Sequence, residues 1–178
     1  KNIGLISRCN DRIISIAQFA TKANFNSDGD IIKEDIVEFV QDYLTKVLPP
    51  FYGSDIKISC RSNGCSKILR FKPIEIGLII DNLLSNSLKA GASIFEASFS
   101  NQGEKIILDI TDDGNGLSSK ISDPATIFEM GITTTNGSGL GLFNAAQLVQ
   151  KELNGAIKVI PDFIFSSSRN GFKIRITL

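Results

Sequence analysis

IILDITDDGNGL, residues 106–117, begins as an apolar run and ends in two adjacent acids followed by two glycines. The apolar part predicts a strand, and the polar part follows it directly. A strand followed by acid, glycine, any residue and glycine suits a site where a carboxylate receives an exocyclic amine and bare backbone lets a purine ring approach. Asp112 is the candidate carboxylate. A plain turn at the strand end is the alternative, because Asp-Gly turns are common.

The segment before this hairpin region, from Pro73 onward, predicts a helix, because proline is favoured at the first helical position. Asn82 and Asn86 lie four residues apart and therefore share one face, with Lys89 three residues further along it. Asparagine is only a middling helix former, so two in an apolar helix indicate a role for their amides. A polar outer face on an amphipathic helix is the alternative interpretation.

GSGLGL, residues 137–142, is the third polar segment, at the start of a predicted helix. Glycines free backbone amides to surround an anion, and a helix start adds unpaired N–H groups and the positive end of the dipole. Phosphate is therefore the expected ligand. A flexible linker has a similar composition, but here the glycines lead into Leu142, Ala146 and Val149 at helical spacing.

Composition favours one soluble domain without a charged surface of a single sign. The 178 residues are 42% hydrophobic and 21% charged, and 19 basic residues balance 19 acidic ones. A balanced charge favours neither nucleic acid nor an anionic bilayer as a partner. The longest apolar runs fall far short of the roughly 20 residues that span a bilayer, and no secretory start is seen. We expect no membrane contact by this segment.

Cysteine and histidine usage limits the chemistry further. Three cysteines, an odd number in a chain of this length, are typical of a reducing compartment, so we expect a cytoplasmic protein. Cys60 and Cys65 flank the turn at residues 62–64, and a redox pair across a hairpin is conceivable, although ordinary strand cysteines are favoured. The absence of histidine excludes Ser-His and Cys-His nucleophilic catalysis within this sequence.

The remaining pattern predicts alternating helices and strands. Helices are expected at residues 3–23, 36–47, 73–90 and 139–153, so that two of them precede the first strand. Strands are expected at residues 56–61, 67–71, 94–100, 105–111, 156–160 and 172–178, with hairpins across Asn63-Gly64 and residues 101–103. Residues 117–138 are predicted to form a loop with one turn of helix, and this loop is the candidate for a lid.

Four segments in this order resemble the boxes of the GHKL superfamily of ATPases and kinases, and within it the catalytic domain of bacterial sensor histidine kinases. Residues 82–89 resemble its N box and residues 112–117 its first glycine box. Residues 128–134, FEMGITT, resemble its phenylalanine box, and residues 137–142 its second glycine box. The resemblance extends from about residue 51 to residue 178.

The resemblance implies an α/β two-layer sandwich of the Bergerat type, with a mixed, mostly antiparallel sheet covered on one face by helices. It implies Mg-ATP as the cofactor, with Asn86 binding Mg2+ and Asp112 accepting the adenine amine. Asn82 and Lys89 are the implied catalytic residues. The residues implied to bind ATP are Asn86, Lys89, Asp112, Gly114, Gly116, Leu117, Thr135, Gly137, Ser138, Gly139, Leu140, Gly141 and Leu142.

Within the superfamily, the residue four positions before the metal-binding asparagine distinguishes kinases from hydrolases. The hydrolysing relatives place a glutamate there to activate water, and this chain has Asn82. An amide cannot act as a general base at neutral pH. Asp81 is adjacent, but one helical residue turns it about 100° away. The resemblance therefore favours phosphoryl transfer to a histidine on another helix.

The amino-terminal residues resemble the end of a dimerisation and phosphoacceptor hairpin. We assign residues 1–26 to that helix or to a linker helix, and residues 27–178 to the catalytic domain. The missing histidine is then expected on a preceding helix of a longer chain; alternatively, residues 3–23 form a helix that merely packs on the domain. The implied partners are the phosphoacceptor hairpin of the same or a partner chain, a response regulator, and a second copy in the full-length homodimer.

Two other functions remain open at this stage. One is a non-catalytic module whose interactions are gated by ATP, and the other is a GHKL-type ATPase. Many kinases of this type have a basic residue near the γ-phosphate, whereas Lys120 is the only cation between Leu117 and Leu142. Thr133, Thr134 and Thr135 offer hydroxyl groups there instead.

Overall fold

A central five-stranded sheet is covered on one face by helices in the computed structural model, which describes residues 31–52, 55–132, 139–166 and 169–178. The strands are β1 (Ile32–Asp35), β2 (Lys57–Arg61), β3 (Ile68–Phe71), β4 (Ile94–Gln102), β5 (Lys105–Asp112), β6 (Ala156–Val159), β7 (Ile164–Ser166), β8 (Arg169–Asn170) and β9 (Phe172–Thr177). The α-helices are α1 (Ile36–Asp42), α2 (Pro49–Tyr52), α3 (Pro73–Lys89) and α4 (Gly141–Lys151). The predicted fold class is confirmed.

The sheet has the strand order β2, β4, β5, β9, β6, and its β2–β4 pair is parallel while the others are antiparallel. The long β4–β5 hairpin was predicted, and it pairs Phe95 with Asp112 at its open end. Asp112 is also paired with Phe172 of β9. The last residue of β5 is therefore fixed between two neighbouring strands.

The period of two along β5 decides which side chains face the helices. Ile106, Leu108 and Ile110 are 0–4% exposed in the core, and Asp112 is the next residue on that same face. Asp109 lies on the opposite face, where Arg175 donates to it at 2.7 and 2.8 Å and Lys173 lies 2.9 Å away. A carboxyl group on the core face of this strand is thus an exception to the pattern.

Helix α3 crosses this core and carries the two asparagines. Pro73 stands at its start, and its apolar residues Ile76, Ile80, Leu83 and Leu84 are at most 3% exposed. This spacing is that of a helix with one buried face. Asn82 and Asn86 are half-buried at the side of that face, so the helix presents both amides toward α4 and the sheet end.

Other predicted elements are present with small differences. The helix expected at residues 36–47 comprises α1 and a π-helical turn at Tyr43–Val47, and Pro49 begins α2 instead of ending all helical structure. The expected helical turn in the loop is the 3-10 helix Pro124–Phe128. The predicted helix at residues 3–23 and the boundary between residues 26 and 27 lie outside the described residues.

The predicted pairing of β2 with β3 is wrong. β2 pairs with β4, and β3 pairs with β1, a strand that sequence analysis missed and that precedes the first described helix. Asn63 and Gly64 do form the expected turn, but the Asn63 side chain donates to the Phe99 carbonyl oxygen at 2.7 Å. The turn therefore packs against β4 and the two strands diverge from it.

The cysteines on either side of this turn are not bonded to each other. Cys60 and Cys65 are both free and half-buried. Cys60 is a strand residue of β2, as predicted, whereas Cys65 lies in the turn segment before β3 begins at Ile68, so its prediction as a strand residue is wrong. Burial raises the pKa of the Cys60 thiol to about 11, so the thiol remains protonated at neutral pH. Among the described helices, none has the length and apolar character needed to cross a membrane.

Candidate functional site

An open cleft lies between α3, the end of β5 and the start of α4. Its walls include nine residues that the sequence predicted for the site: Asn82, Asn86, Lys89, Asp112, Gly116, Leu117, Gly139, Gly141 and Leu142. Large apolar side chains also line the cleft, namely Leu83, Ile110, Ile121, Ile127, Ile132, Phe172 and Ile174. Three segments far apart in the sequence therefore meet around one space.

The buried end of the cleft comprises Asp112 and Ser87, and the Gly114 backbone lies directly behind Asp112. Asp112 is 3% exposed and Ser87 is 4% exposed. The Ser87 hydroxyl donates to Asp112 Oδ2 at 2.6 Å, and the Gly114 backbone N–H donates to Asp112 Oδ1 at 2.9 Å. Each carboxylate oxygen thus accepts a hydrogen bond from a different element.

The environment of Asp112 acts on its protonation in opposing directions. Burial raises the pKa of the Asp112 carboxyl above its ordinary value, and the nearby charge of Asp113 acts in the same direction. The hydrogen bonds from Ser87 and from the backbones of Gly114 and Phe172 act against this rise. A buried acceptor with a perturbed pKa in a cleft is characteristic of functional sites.

The loop after Asp112 is anchored at two further points. The Asp113 carboxylate accepts from the backbone N–H groups of Ser93 and Ile94, both at 2.7 Å. The Asn115 N–H donates to the carbonyl of Ala90, at the end of α3, at 3.1 Å. These bonds tie the loop to both α3 and β4, so the position of Asp112 is set by the fold.

The open end of the cleft comprises Asn82, Asn86, Lys89, Gly139 and Gly141. Asn82 and Asn86 are half-buried and Lys89 is exposed at the rim. Gly141 begins α4, and a Cβ at this position would lie 3.3 Å from Asn82 Oδ1. The Asn82 amide thus faces the start of a helix, where unpaired N–H groups and the dipole favour an anion.

Gly139 is held against the backbone of Gly131. Its φ of +69° favours glycine, and a Cβ there would lie 2.5 Å from the carbonyl carbon of Gly131. The Gly131 N–H donates to the Gly139 carbonyl oxygen at 3.3 Å. Only a residue without a side chain fits this contact, which brings the phenylalanine-box and second glycine-box segments together.

The other predicted site residues are placed differently or not described. Gly114 is not among the residues lining the cleft. It packs closely behind Asp112, because a Cβ at this position would lie 3.0 Å from both Asp112 Oδ1 and the Ala90 Cβ. Leu140 is 40% exposed and also lies outside the lining. Thr135, Gly137 and Ser138 fall outside the described residues.

Ser87 is the one residue of the buried end that sequence analysis did not single out. A signal for it exists in the helical pattern, because Ser87 continues the buried row of Ile76, Ile80 and Leu83. A hydroxyl on the core face of a helix requires a hydrogen-bond partner. The identity of that partner, 25 residues away in the sequence, depends on the tertiary fold.

Comparison with known proteins agrees with this geometry. Residues 71–178 match the family described as "Histidine kinase-, DNA gyrase B-, and HSP90-like ATPase". No curated protein is similar enough in sequence to count as a match. The fold is also shared with solved structures of histidine kinases, at sequence identities below 25%.

Three of these structures illustrate the likeness. The mycobacterial sensor histidine kinase MprB has a TM-score of 0.65 and 24% identity, covering 84% of this chain and 97% of its own. The ATP-binding domain of PrrB from Mycobacterium tuberculosis has a TM-score of 0.60 and 21% identity, covering 84% and 95%. Full-length ShkA in complex with AMPPNP has a TM-score of 0.66 and 19% identity, covering 98% of this chain and 35% of ShkA. Since the family match spans well over half of the sequence, this chain belongs to the histidine kinase-, DNA gyrase B- and HSP90-like ATPase family.

Proposed function

We propose that this chain is the ATP-binding catalytic domain of a sensor histidine kinase, which transfers the γ-phosphoryl group of Mg-ATP to a histidine outside these 178 residues. The observation that supports it most is the convergence of Asp112, Asn86 and the start of α4 at Gly141 on one cleft. These groups match, in order, the amine of a purine, a metal ion on phosphates, and the phosphates themselves.

The buried end suits the adenine base. An ionised carboxylate is acceptor-only, so Asp112 can receive the exocyclic amine through lone pairs that Ser87 and Gly114 leave available. Ile110, Phe172 and Ile174 provide apolar walls for the ring. Leu117 and Gly116 would close the pocket from the loop side.

The open end suits the triphosphate and its magnesium ion. Magnesium prefers oxygen ligands, keeps several waters and is typically bound by one or two protein oxygens together with substrate phosphates. The half-buried Asn86 amide offers such an oxygen beside the α4 start. Bound magnesium would neutralise phosphate charge, while the backbone of Gly139 and Gly141 and the Lys89 ammonium would hold the phosphates.

Two contacts of α3 favour a kinase over a hydrolase. Asn82 faces Gly141 at the open end, in the position from which a glutamate activates water in the hydrolysing relatives. The neighbouring carboxylate of Asp81 accepts from the Tyr43 hydroxyl at 3.0 Å and does not line the cleft. The α3 residue at the phosphates is therefore an amide that cannot serve as a general base.

The partners follow from the proposed reaction. The sequence contains no histidine, so the acceptor would lie on a phosphoacceptor hairpin of the same longer protein or of a partner chain. Its phosphoryl group would pass to a response regulator, and the full-length protein would act as a homodimer in the cytoplasm.

Nucleotide binding is tested first by denaturation with and without Mg-ATP. A ligand at about 100 times its dissociation constant adds about 2.7 kcal/mol to the free energy of unfolding. We expect such a gain, and we expect Asn86→Ala to remove the part that depends on magnesium. An unfolding curve that does not move at saturating Mg-ATP would show that the cleft is not an ATP site.

Phosphoryl transfer is tested by adding γ-labelled ATP and a separately produced hairpin that carries the candidate histidine. The proposal expects acid-labile label on the hairpin, and none when that histidine is replaced. Release of free phosphate that is independent of the hairpin would instead identify an ATPase. Nucleotide binding without either product would identify an ATP-gated interaction module.

A further inference from the structure

Ser87 and Asp112 are buried polar side chains of the cleft that are hydrogen-bonded to each other. Both side chains are at most 4% exposed, and their oxygens are 2.6 Å apart. Hydroxyl groups that donate to an ionised carboxylate typically show separations of about 2.5–2.7 Å, shorter than neutral pairs. The distance suits a bond in which the hydroxyl donates to an ionised carboxylate.

The Ser87 hydroxyl has one proton and two acceptors within reach. The second is the carbonyl oxygen of Leu83, at 3.2 Å. That carbonyl lies four residues back within α3, so the backbone N–H of Ser87 is its regular helical donor. The carboxylate is both the nearer acceptor and the charged one, so it accepts the hydrogen bond from the hydroxyl.

We propose that Ser87 is a positioning residue for base recognition: its hydroxyl fixes the plane of the Asp112 carboxylate so that the cleft selects a purine bearing an amine at position 6. This inference rests on the proposed function and adds the determinant of its base selectivity. Ser87 acts through Asp112, to which it is bonded across the boundary between α3 and β5.

The geometry explains why two donors are needed. Gly114 N–H holds Oδ1 from the loop, and Ser87 Oγ–H holds Oδ2 from the helix. Because the two oxygens accept bonds from different elements, rotation of the carboxylate breaks at least one bond, and the remaining lone pairs point in fixed directions. A purine with a carbonyl oxygen at position 6 would place an acceptor against this acceptor, an arrangement that costs binding energy.

The charges around Asp112 support the same role. Burial raises its pKa, Asp113 on the same loop adds to the rise, and the Ser87 bond opposes it. The paired residues on the flanking strands, Phe95 and Phe172, carry no charge, and Lys89 of α3 is exposed at the rim. Removing the Ser87 hydroxyl would thus also favour the protonated carboxyl, which is a poorer acceptor.

The experiment compares ATP with purine riboside triphosphate, which lacks only the 6-amino group, in parent and Ser87→Ala proteins. In the parent we expect tighter binding of ATP. In Ser87→Ala we expect ATP binding to weaken about tenfold, the loss typical of one hydrogen bond to a charged group. Binding of the analogue should not change, because it makes no bond to Asp112.

Two further variants complete the test. Ser87→Cys keeps a weaker donor of similar size, and we expect its preference for ATP to lie between those of the parent and Ser87→Ala. Ser98→Ala, on the face of β4 away from the helices, should leave binding of both nucleotides unchanged. If Ser87→Ala fails to fold, the comparison of Ser87→Cys with the parent still decides the question.

The possible failures are distinguishable. A parent protein that binds neither nucleotide would overturn the proposed function itself. A parent that prefers ATP, with a Ser87→Ala variant that keeps the full preference, would overturn the role of Ser87 alone. An equal loss for ATP and the analogue would show that Ser87 merely supports the fold, and it would also overturn the inference.

Discussion

The buried end and the open end of the cleft differ in how their polar groups are held. At the buried end, Asp112 is 3% exposed and both of its oxygens have donors fixed by the fold. At the open end, Asn82 and Asn86 are half-buried and Lys89 is exposed. The buried end suits recognition of a rigid base with a single hydrogen-bonding pattern. The open end suits a charged group that is transferred.

The same contrast extends to the backbone. Residues around Asp112 are tied to α3 and β4 by the bonds of Asp113 and Asn115. The open end instead depends on two glycine segments that meet at Gly131 and Gly139 and on the start of α4. We therefore expect substitutions at the buried end to alter which base is bound, and substitutions at the open end to alter how well phosphates are held.

The largest effect is expected for Asp112→Asn. The amide replaces one acceptor with a donor, which conflicts either with Ser87 or with Gly114 and cannot receive the base amine in the same way. Most of the stabilisation by Mg-ATP, about 2.7 kcal/mol at 100 times the dissociation constant, should be lost in denaturation experiments.

Asp109→Asn is the matched control for this substitution. It lies on the same strand but faces away from the helices and pairs with Arg175. It should lower the stability of the free protein and keep the full gain with Mg-ATP. A full gain in Asp112→Asn as well would contradict the assignment of the buried end to the base.

The next effect is expected for Gly139→Ala. The added Cβ would lie 2.5 Å from the Gly131 carbonyl carbon in a backbone conformation with φ of +69°. The two segments must separate, so binding of ATP and of a nucleotide with another base should weaken together. Titration calorimetry with both nucleotides measures this.

Gly103→Ala is the control that separates the cost of the left-handed backbone conformation from the cost of the close contact at Gly139. Gly103 has a similar φ of +60° but nothing within 4 Å of an added Cβ. Its variant should show only the left-handed backbone cost of about 1–2 kcal/mol in unfolding and normal nucleotide binding. If the two variants bind nucleotide equally well, contact between Gly131 and Gly139 does not shape the open end.

A smaller effect is expected from pH. Because burial raises the pKa of Asp112, the carboxylate gains its proton at a higher pH than an ordinary Asp, whose pKa is about 3.9. The preference for ATP over purine riboside triphosphate should therefore shrink as the pH falls through this raised pKa. Both nucleotides carry the same phosphates, so titration of the phosphates cancels in the comparison. A preference that is constant down to the ordinary Asp range would contradict the prediction.

The raised pKa of Asp112 changes the free energy of unfolding with pH in the opposite direction to the lowered pKa of Asp109. A pKa that is higher in the folded than in the unfolded protein means that the fold disfavours the ionised Asp112, a cost that is present above the folded pKa and relieved in acid. At Asp109, burial also acts to raise the pKa, but the hydrogen bonds from Arg175 and Lys173 outweigh it and lower the pKa. The stability contributed by Asp109 is therefore present above its unfolded pKa and is lost as the pH falls through its folded pKa.

The smallest effect is expected for Lys89→Ala. An exposed ammonium at the rim contributes little in water, so ATP affinity should fall at most several-fold. The loss should decrease further as salt is added, because exposed charges are screened. Lys57→Ala, an exposed lysine on β2, should leave affinity unchanged at both salt concentrations. A large loss that is insensitive to salt would place Lys89 in direct contact with the transferred group.

The sequence predicted the residues of the two ends of the cleft to different extents. The three glycine and asparagine segments were recognisable from residue type and spacing, and nine of the predicted residues line the cleft. Ser87 was not recognised, because its role depends on a partner 25 residues away. Gly114 was expected in the lining, yet it packs between Asp112 and Ala90, a distinction that spacing alone does not contain.

In the fold, the turn between β2 and β3 was predicted correctly from its sequence, whereas the strand with which β2 pairs was not. The turn at Asn63 and Gly64 forms as its sequence predicts, but the Asn63 side chain bonds to Phe99 and directs the turn onto β4. β2 then pairs in parallel with β4, which requires a long connection through α3. Such pairing depends on burial of the whole sheet, whereas a prediction from the turn sequence uses only the residues of the turn.

The most direct test is a crystal structure with magnesium and a non-hydrolysable ATP analogue. The account predicts the purine amine within about 3 Å of an Asp112 carboxylate oxygen, as for an ordinary hydrogen bond, and the phosphates at the start of α4 beside Asn86. A purine located anywhere else, or phosphates at the buried end with the base outside, would contradict it.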